Sequence, residues 1–132
     1  MKTVHVAAAV IREGNKIFAT QRKDGAFQDG WEFPGGKIEA GETPEQALVR
    51  EIREELDSEI EVGNLIETVE YDYAEFHLTM ECFWCRLVSA APKLNVHKAS
   101  AWLTADTIDS VAWLPADLGL VKDIKEELLR SR

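Results

Sequence analysis

The chain lacks most of what would mark it as secreted, membrane-bound or nucleic-acid-coating. Among 132 residues there are only two cysteines, Cys82 and Cys85, too few for a disulfide scaffold. They form Cys-Phe-Trp-Cys inside a stretch that reads as strand, where residues three apart point to opposite faces. A redox pair would instead open a helix, so two separate strand thiols are expected. Basic residues are in deficit: 15 Lys and Arg against 24 Asp and Glu leave a formal charge of −9, which argues against a general nucleic-acid-binding surface. An anionic ligand would need local cations to offset that field. No apolar run approaches the about 20 residues of a membrane helix, and Met1-Lys2-Thr3-Val4 does not begin a signal peptide, so a cytoplasmic location is expected. Repeats, linkers and low-complexity segments are also missing.

A length of 132 residues suits one domain with one real core, 1–132. Val4 to Ile11 is a short, nearly continuous apolar run, as in a buried strand. Glu13-Gly14-Asn15 turns the chain into a second strand, Lys16 to Arg22. Lys23 to Gly30 reads as loop, and Trp31 to Phe33 as a short extended piece held out of helix by Pro34. Gly35-Gly36 reads as a glycine turn. Thr43 as N-cap, Pro44 at the first helical position and Gln46 completing a Thr-x-x-Gln capping box start a helix. Leu48, Ile52 and Leu56 give it a core stripe to about Leu56.

Ile60–Val62, Leu65–Tyr73 and Phe76–Val88 read as strands, Pro92–Lys98 as loop, and Ser100–Leu103 as a short strand. A short helix is expected from Thr104. A last helix, about Ala116 to Leu129, places Leu118, Val121, Ile124 and Leu128 on one side. Trp84, Trp102 and Trp113 read as core, and His5 and His77 as structural or surface groups. His97, in a loop, is open to either a structural or a functional role. These elements predict an α/β fold, a sandwich with a mixed sheet between helices.

The chemistry concentrates at Glu51, Glu54 and Glu55, which lie three and four residues apart on one side of the first helix. A charge run of this kind is usually a solvated face. Here the glutamates sit near the helix C-terminus, where the macrodipole disfavours them, and basic neighbours are few. Glu39 and Glu42 lie just upstream, where a loop could fold back onto the same face. A divalent cation answers that crowding. Carboxylates with a glycine carbonyl suit Mg2+, with Mn2+ as an alternative, better than zinc, which prefers His or Cys. Bound metal would neutralise a diphosphate and activate water, with a free glutamate as base. Arg22 and Lys37 are candidate phosphate partners.

Gly36, five residues, Glu42, seven residues, then Arg50-Glu51-Ile52-x-Glu54-Glu55 resembles the Nudix box, G-x5-E-x7-R-E-U-x-E-E-x-G-U with U a bulky aliphatic residue. Trp31–Glu39 is similar to the MutT-type nucleoside triphosphate pyrophosphohydrolases. The Val4–Ile11 strand, the Trp102 strand and Pro115-Ala116-Asp117 resemble them more loosely.

The resemblance implies a Nudix α/β/α sandwich that hydrolyses a nucleoside triphosphate to monophosphate and pyrophosphate. It implies Glu51, Glu54 and Glu55 as metal ligands with the Gly35 or Gly36 carbonyl, Glu54, Glu51 and Arg50 as the catalytic set, and Glu42 as support for the loop–helix junction. Arg22 would touch phosphate, and Phe33 and Asp117 would line the base pocket. Phe76 is a further candidate base contact.

Three positions depart from the pattern. Asp57-Ser58 replaces the terminal Gly-U, so altered helix termination is expected. Val96, beside His97, stands where relatives often carry a glutamate that binds metal or acts as base. Asp117 stands where an asparagine is found; an ionised Asp only accepts hydrogen bonds and would suit an exocyclic amine. That favours cytosine nucleotides over 8-oxo-dGTP. Two other readings stay open: a catalytically silent Nudix domain that binds a nucleotide or protein partner, and a hydrolase of another nucleoside diphosphate derivative.

Overall fold

The computed structural model describes residues 1–89 and 91–131; positions 90 and 132 of the expected single domain lie outside the described residues. The first strand is the spine. β1 (Lys2–Glu13) runs parallel to β6 (Phe76–Leu87), which pairs antiparallel with β5 (Ile60–Asp72). On its other edge β1 pairs antiparallel first with β4 (Gly35–Lys37) and then, only at Arg12 and Glu13, with β2 (Lys16–Arg22). β2 in turn carries β3 (Trp31–Glu32) and β7 (His97–Leu103). The mixed sheet therefore splits into two wings that share β1.

Each face of the spine is apolar, as the continuous Val4–Ile11 run predicts. Ala7, Ala9 and Ile11 pack with Phe18, Phe83 and Cys85 under Leu48, Ile52 and Leu56 of α1 (Pro44–Leu56). Ala8 and Val10 pack with Phe33, Met80, Cys82 and Trp113 under Leu120, Val121, Ile124 and Leu128 of α2 (Leu118–Arg130). The result is the α/β/α sandwich. Cys82 and Cys85 fall in opposite cores, both free thiols. Burial pushes both thiols up from their ordinary range, so they are poor nucleophiles. Among the described residues no helix is long and apolar enough to cross a membrane.

Several expected boundaries shift for tertiary reasons. Gly35-Gly36 is a strand rather than a turn. A side chain at Gly35 would collide with the Ala7 carbonyl oxygen, so glycine serves close strand approach there. Ile60–Asp72 is one strand, its register broken between Val62, Leu65 and Glu67. β7 begins at His97, recruited by Arg22 of β2. The short helix expected at Thr104 is a 3-10 turn at Ile108–Ser110. Pro115–Asp117 forms another such turn, so α2 starts two residues later than expected, and Leu118 is exposed while Leu120 takes its core place. Trp113 is core, with Trp84 and Trp102 only partly covered.

Candidate active site

The helix that carries the glutamates is locally determined. Thr43 Oγ1 accepts the Gln46 N–H at 3.1 Å and Gln46 Oε1 accepts the Thr43 N–H at 2.9 Å, closing the capping box. At the other end Asp57 takes the left-handed conformation (φ 50°, ψ 40°) and its N–H donates to the Arg53 carbonyl. The helix thus ends in the turn that glycine usually makes, in spite of Asp57, and the expected change in termination geometry does not occur. Ser58 is buried there, its hydroxyl donating to the Leu56 carbonyl.

Arg50 organises the acidic side chains. Its Nε and Nη2 donate to the two Glu42 carboxylate oxygens at 2.8 and 3.0 Å. Nη1 donates to Glu51 at 2.8 Å and more weakly to Glu54 at 3.4 Å, and Nη2 also reaches the Lys37 carbonyl at 3.0 Å. Glu42 in addition accepts the Glu39 N–H at 2.9 Å. The Arg50 guanidinium, then this backbone N–H, holds the Glu42 carboxyl down to about 2. The fold-back of the 38–43 loop expected from sequence is therefore present, with one planar guanidinium as its fastener.

Glu51 and Glu55 are largely covered, whereas Glu54 is 60 % exposed. Burial, then the adjoining Glu51 and Glu32 carboxylates, raises Glu55 well above the carboxylate range. Its Oε1 is buried and has no hydrogen-bond partner. A Cβ at Gly36 would lie 2.7 Å from both Glu51 oxygens, so a side chain there would push the Glu51 carboxylate from its present position. Crowded acids, an orphaned carboxylate oxygen and adjacent backbone carbonyls form a donor set that fits a hard divalent cation. No three His, Cys, Asp or Glu side chains among the described residues already converge in metal-ligating geometry. Glu51 is turned onto Arg50 and Glu54 toward solvent.

A cavity of about 470 Å³ opens where the wings diverge. Of the residues singled out from the sequence, Arg22, Phe33, Lys37, Phe76 and Asp117 all line it, with Gly36 and Glu55 at one end. Glu51, Glu54 and Arg50 do not line it; they sit on the neighbouring face of α1. Arg22 is held by Glu32, Nε to Oε2 at 2.7 Å and Nη2 to Oε1 at 3.2 Å. Burial raises Glu32 in spite of that partner. Phe33 packs on Trp113 with ring centroids 4.7 Å apart. Phe76 closes an aromatic row with Tyr73 and Phe27, the Tyr73 hydroxyl accepting the Ala116 N–H at 3.2 Å.

Asp117 is the main correction. It is 4 % exposed, and Oδ1 has no partner. Burial, then the Glu32 charge, raises it far above the usual range, and Arg22 and the Phe33 N–H only partly oppose this. Burial in this place favours the protonated carboxyl, a form that can donate as well as accept. The ionised, accept-only Asp117 expected from sequence assumed solvent access that the pocket floor does not give.

Sequence reasoning also undervalued His97. Its side chain is 8 % exposed, it lines the cavity, and Nε2 lies 3.8 Å from Glu55 Oε1. Burial, then the Arg22 charge, lowers its pKa, which favours the neutral ring. The β2–β7 pairing that places it there left no local signal. His5 and His77 make surface contacts with Glu81, Asp72 and Glu70, as expected.

The NUDIX domain family model matches residues 1–129. The 8-oxo-dGTP diphosphatase of Escherichia coli K12 is 46 % identical over 127 residues, covering 95 % of this chain and 98 % of that one. The CTP pyrophosphohydrolase of the same strain is 32 % identical over 123 residues, covering 92 % and 91 %. The solution structure of the E. coli ORF135 protein superposes with a TM-score of 0.82 at 31 % identity over 100 % of this chain and 94 % of that one. The chain belongs to the Nudix family, and within it is similar to the MutT-type members.

Proposed function

We propose that this protein hydrolyses a nucleoside triphosphate to the monophosphate and pyrophosphate, with Mg2+ as its working metal and Mn2+ as a substitute, and that 8-oxo-dGTP is its preferred substrate class. The observation that carries the reading is one continuous site, with the acidic end of α1 at one side and a pocket floored by the buried, unpartnered Asp117 carboxyl at the other. Glu51, Glu54 and Glu55, with the Gly36 carbonyl, would hold the metal, which supplies charge neutralisation and a more acidic attacking water. Arg50 orients Glu51 and Glu54. Lys37 at the pocket mouth faces the phosphates. Arg22 does so once its pairing with Glu32 is shared. Phe33 and Phe76 flank the base.

In the protonated form that burial favours, Asp117 presents one donor and one acceptor side by side. The N7–O6 edge of guanine offers two acceptors, a mismatch. In 8-oxoguanine N7 carries a proton, so that edge becomes donor plus acceptor and pairs with the acid. The same argument keeps a second reading open, because N3 and N4 of cytosine also give one acceptor and one donor.

The test is one set of assays with magnesium on 8-oxo-dGTP, dGTP, CTP, dCTP, 5-methyl-dCTP and ADP-ribose, products identified, for the wild type and Asp117→Asn. Asn keeps a donor and an acceptor, so the variant should retain 8-oxo-dGTP turnover within about tenfold, one mispaired hydrogen bond being worth about 1.4 kcal/mol. Higher kcat/KM on dCTP than on 8-oxo-dGTP would replace the first substrate with the second. No turnover on any triphosphate would leave a silent binding domain.

A further inference from the structure

An α-helix leaves its last four carbonyls without internal partners. In α1 these belong to Arg53, Glu54, Glu55 and Leu56, the turn that carries two of the acidic residues. Asp57 supplies the N–H for Arg53. The other three are served largely from 37 or more residues further on, by the segment that leads into β7. Lys93 N–H donates to Leu56 O at 2.8 Å, Asn95 N–H to Glu55 O at 3.1 Å, and Asn95 Nδ2 to Glu54 O at 3.1 Å. A single residue, Asn95, therefore secures the backbone of both glutamates. Two residues later His97 enters the pocket with Nε2 at 3.8 Å from the unpartnered Glu55 Oε1.

We propose that Asn95 is a positioning residue: it caps α1 from outside the helix and fixes the turn that presents Glu54 and Glu55 to the metal and the phosphates. The inference rests on the metal-site reading above and adds a residue outside the Nudix box to it. The same segment carries Val96, which also lines the pocket. In this chain the segment serves the helix through its backbone and the Asn95 amide. Because the Cβ atoms follow the backbone, loss of the Asn95 amide leaves the Glu54 carbonyl unserved and loosens the turn that aims Glu54 and Glu55, while the Lys93 and Asn95 N–H bonds to Leu56 and Glu55 remain. The pocket walls that hold the base, from Phe33, Phe76 and Asp117, are untouched by that loss.

The experiment compares the wild type with Asn95→Ala, with Asn95→Asp (isosteric, without the side-chain donor) and with Asn95→Gln, which keeps the donor. Mn2+ binding to the nucleotide-free protein is titrated by electron paramagnetic resonance, alongside thermal unfolding and steady-state kinetics. Asn95→Ala and Asn95→Asp should each raise the Mn2+ Kd and lower kcat by about tenfold, the lower end of what loss of a ligand's outer support costs. KM for the nucleotide should stay within about twofold, and Asn95→Gln should recover part of both losses. An Mn2+ Kd unchanged in Asn95→Ala and Asn95→Asp, with only the unfolding midpoint lowered, would overturn the proposal and leave an ordinary cap. A wild type that binds Mn2+ but turns over no triphosphate would defeat the functional reading alone, and the Mn2+ titration would still decide the role of Asn95.

Discussion

At the scale of single residues the site depends on one cation. Arg50 makes five side-chain hydrogen bonds, to Glu42, Glu51, Glu54 and the Lys37 carbonyl, and a lysine could reproduce none of the paired geometry. Arg50→Lys should therefore lower kcat by about 10- to 100-fold, as loss of support behind metal ligands does, with a much smaller change in KM. The same pair sets an acid response. Glu42 is held down to about 2 from an ordinary 4.5, so its contribution is present above about pH 4.5 and is lost as the pH falls toward 2. Thermal midpoints measured between pH 5 and pH 2 should fall less steeply in Arg50→Gln than in the wild type. Parallel curves would show that Arg50 does not hold Glu42.

The elements were legible in sequence wherever their cause was local. Thr43, Pro44 and Gln46 start α1, and Leu48, Ile52 and Leu56 orient it, all within the thirteen-residue helix and its N-cap. The Arg50–Glu42 reach could be anticipated because it spans one loop. Long-range pairing could not. Nothing near His97 announces that β2 will draw it into a strand, and nothing near Gly35 announces the Ala7 carbonyl. Asp117 lines the cavity, but the burial that raises its carboxyl comes from residues distant in sequence.

One contact between elements makes its own prediction. Glu67 of β5 faces Asp123 of α2, and the Asp123 carboxyl, then burial, raises Glu67 to about 7 from 4.5. A carboxyl whose folded pKa is raised contributes stability below its unfolded value and loses it as pH rises through the folded one. The wild type should lose thermal stability between about pH 4.5 and pH 7 at this contact, and Glu67→Gln should remove that loss. Circular-dichroism melts of both proteins at pH 5 and pH 7.5 decide it; an equal difference in the two proteins would mean that the carboxyls do not share a proton.

For the molecule as a whole, the sheet divides labour between its faces. The core under α1 supports the acidic turn through Leu48, Ile52 and Leu56; the core under α2 supports the base pocket through Phe33, Trp113 and Leu120, next to Asp117. The wings diverge between them, and β4, with Gly36 against Glu51 and Lys37 at the pocket, joins the two halves. Equal damage to the two cores should therefore have unequal consequences. Ile52 and Ile124 are both fully buried, and truncation of either to alanine should cost about 2–5 kcal/mol of stability. Ile52 lies beside Glu51 and one turn from Glu55, so Ile52→Ala should weaken Mn2+ binding and lower kcat. Ile124 lies two turns beyond Asp117, so Ile124→Ala should leave both near wild type at temperatures where it is folded. Denaturant melts establish that the two losses of stability are comparable, and Mn2+ titration then separates the variants. Equal weakening of metal binding by both would show that the faces are energetically one unit, and that the acidic turn depends on the whole sandwich rather than on the core beneath it.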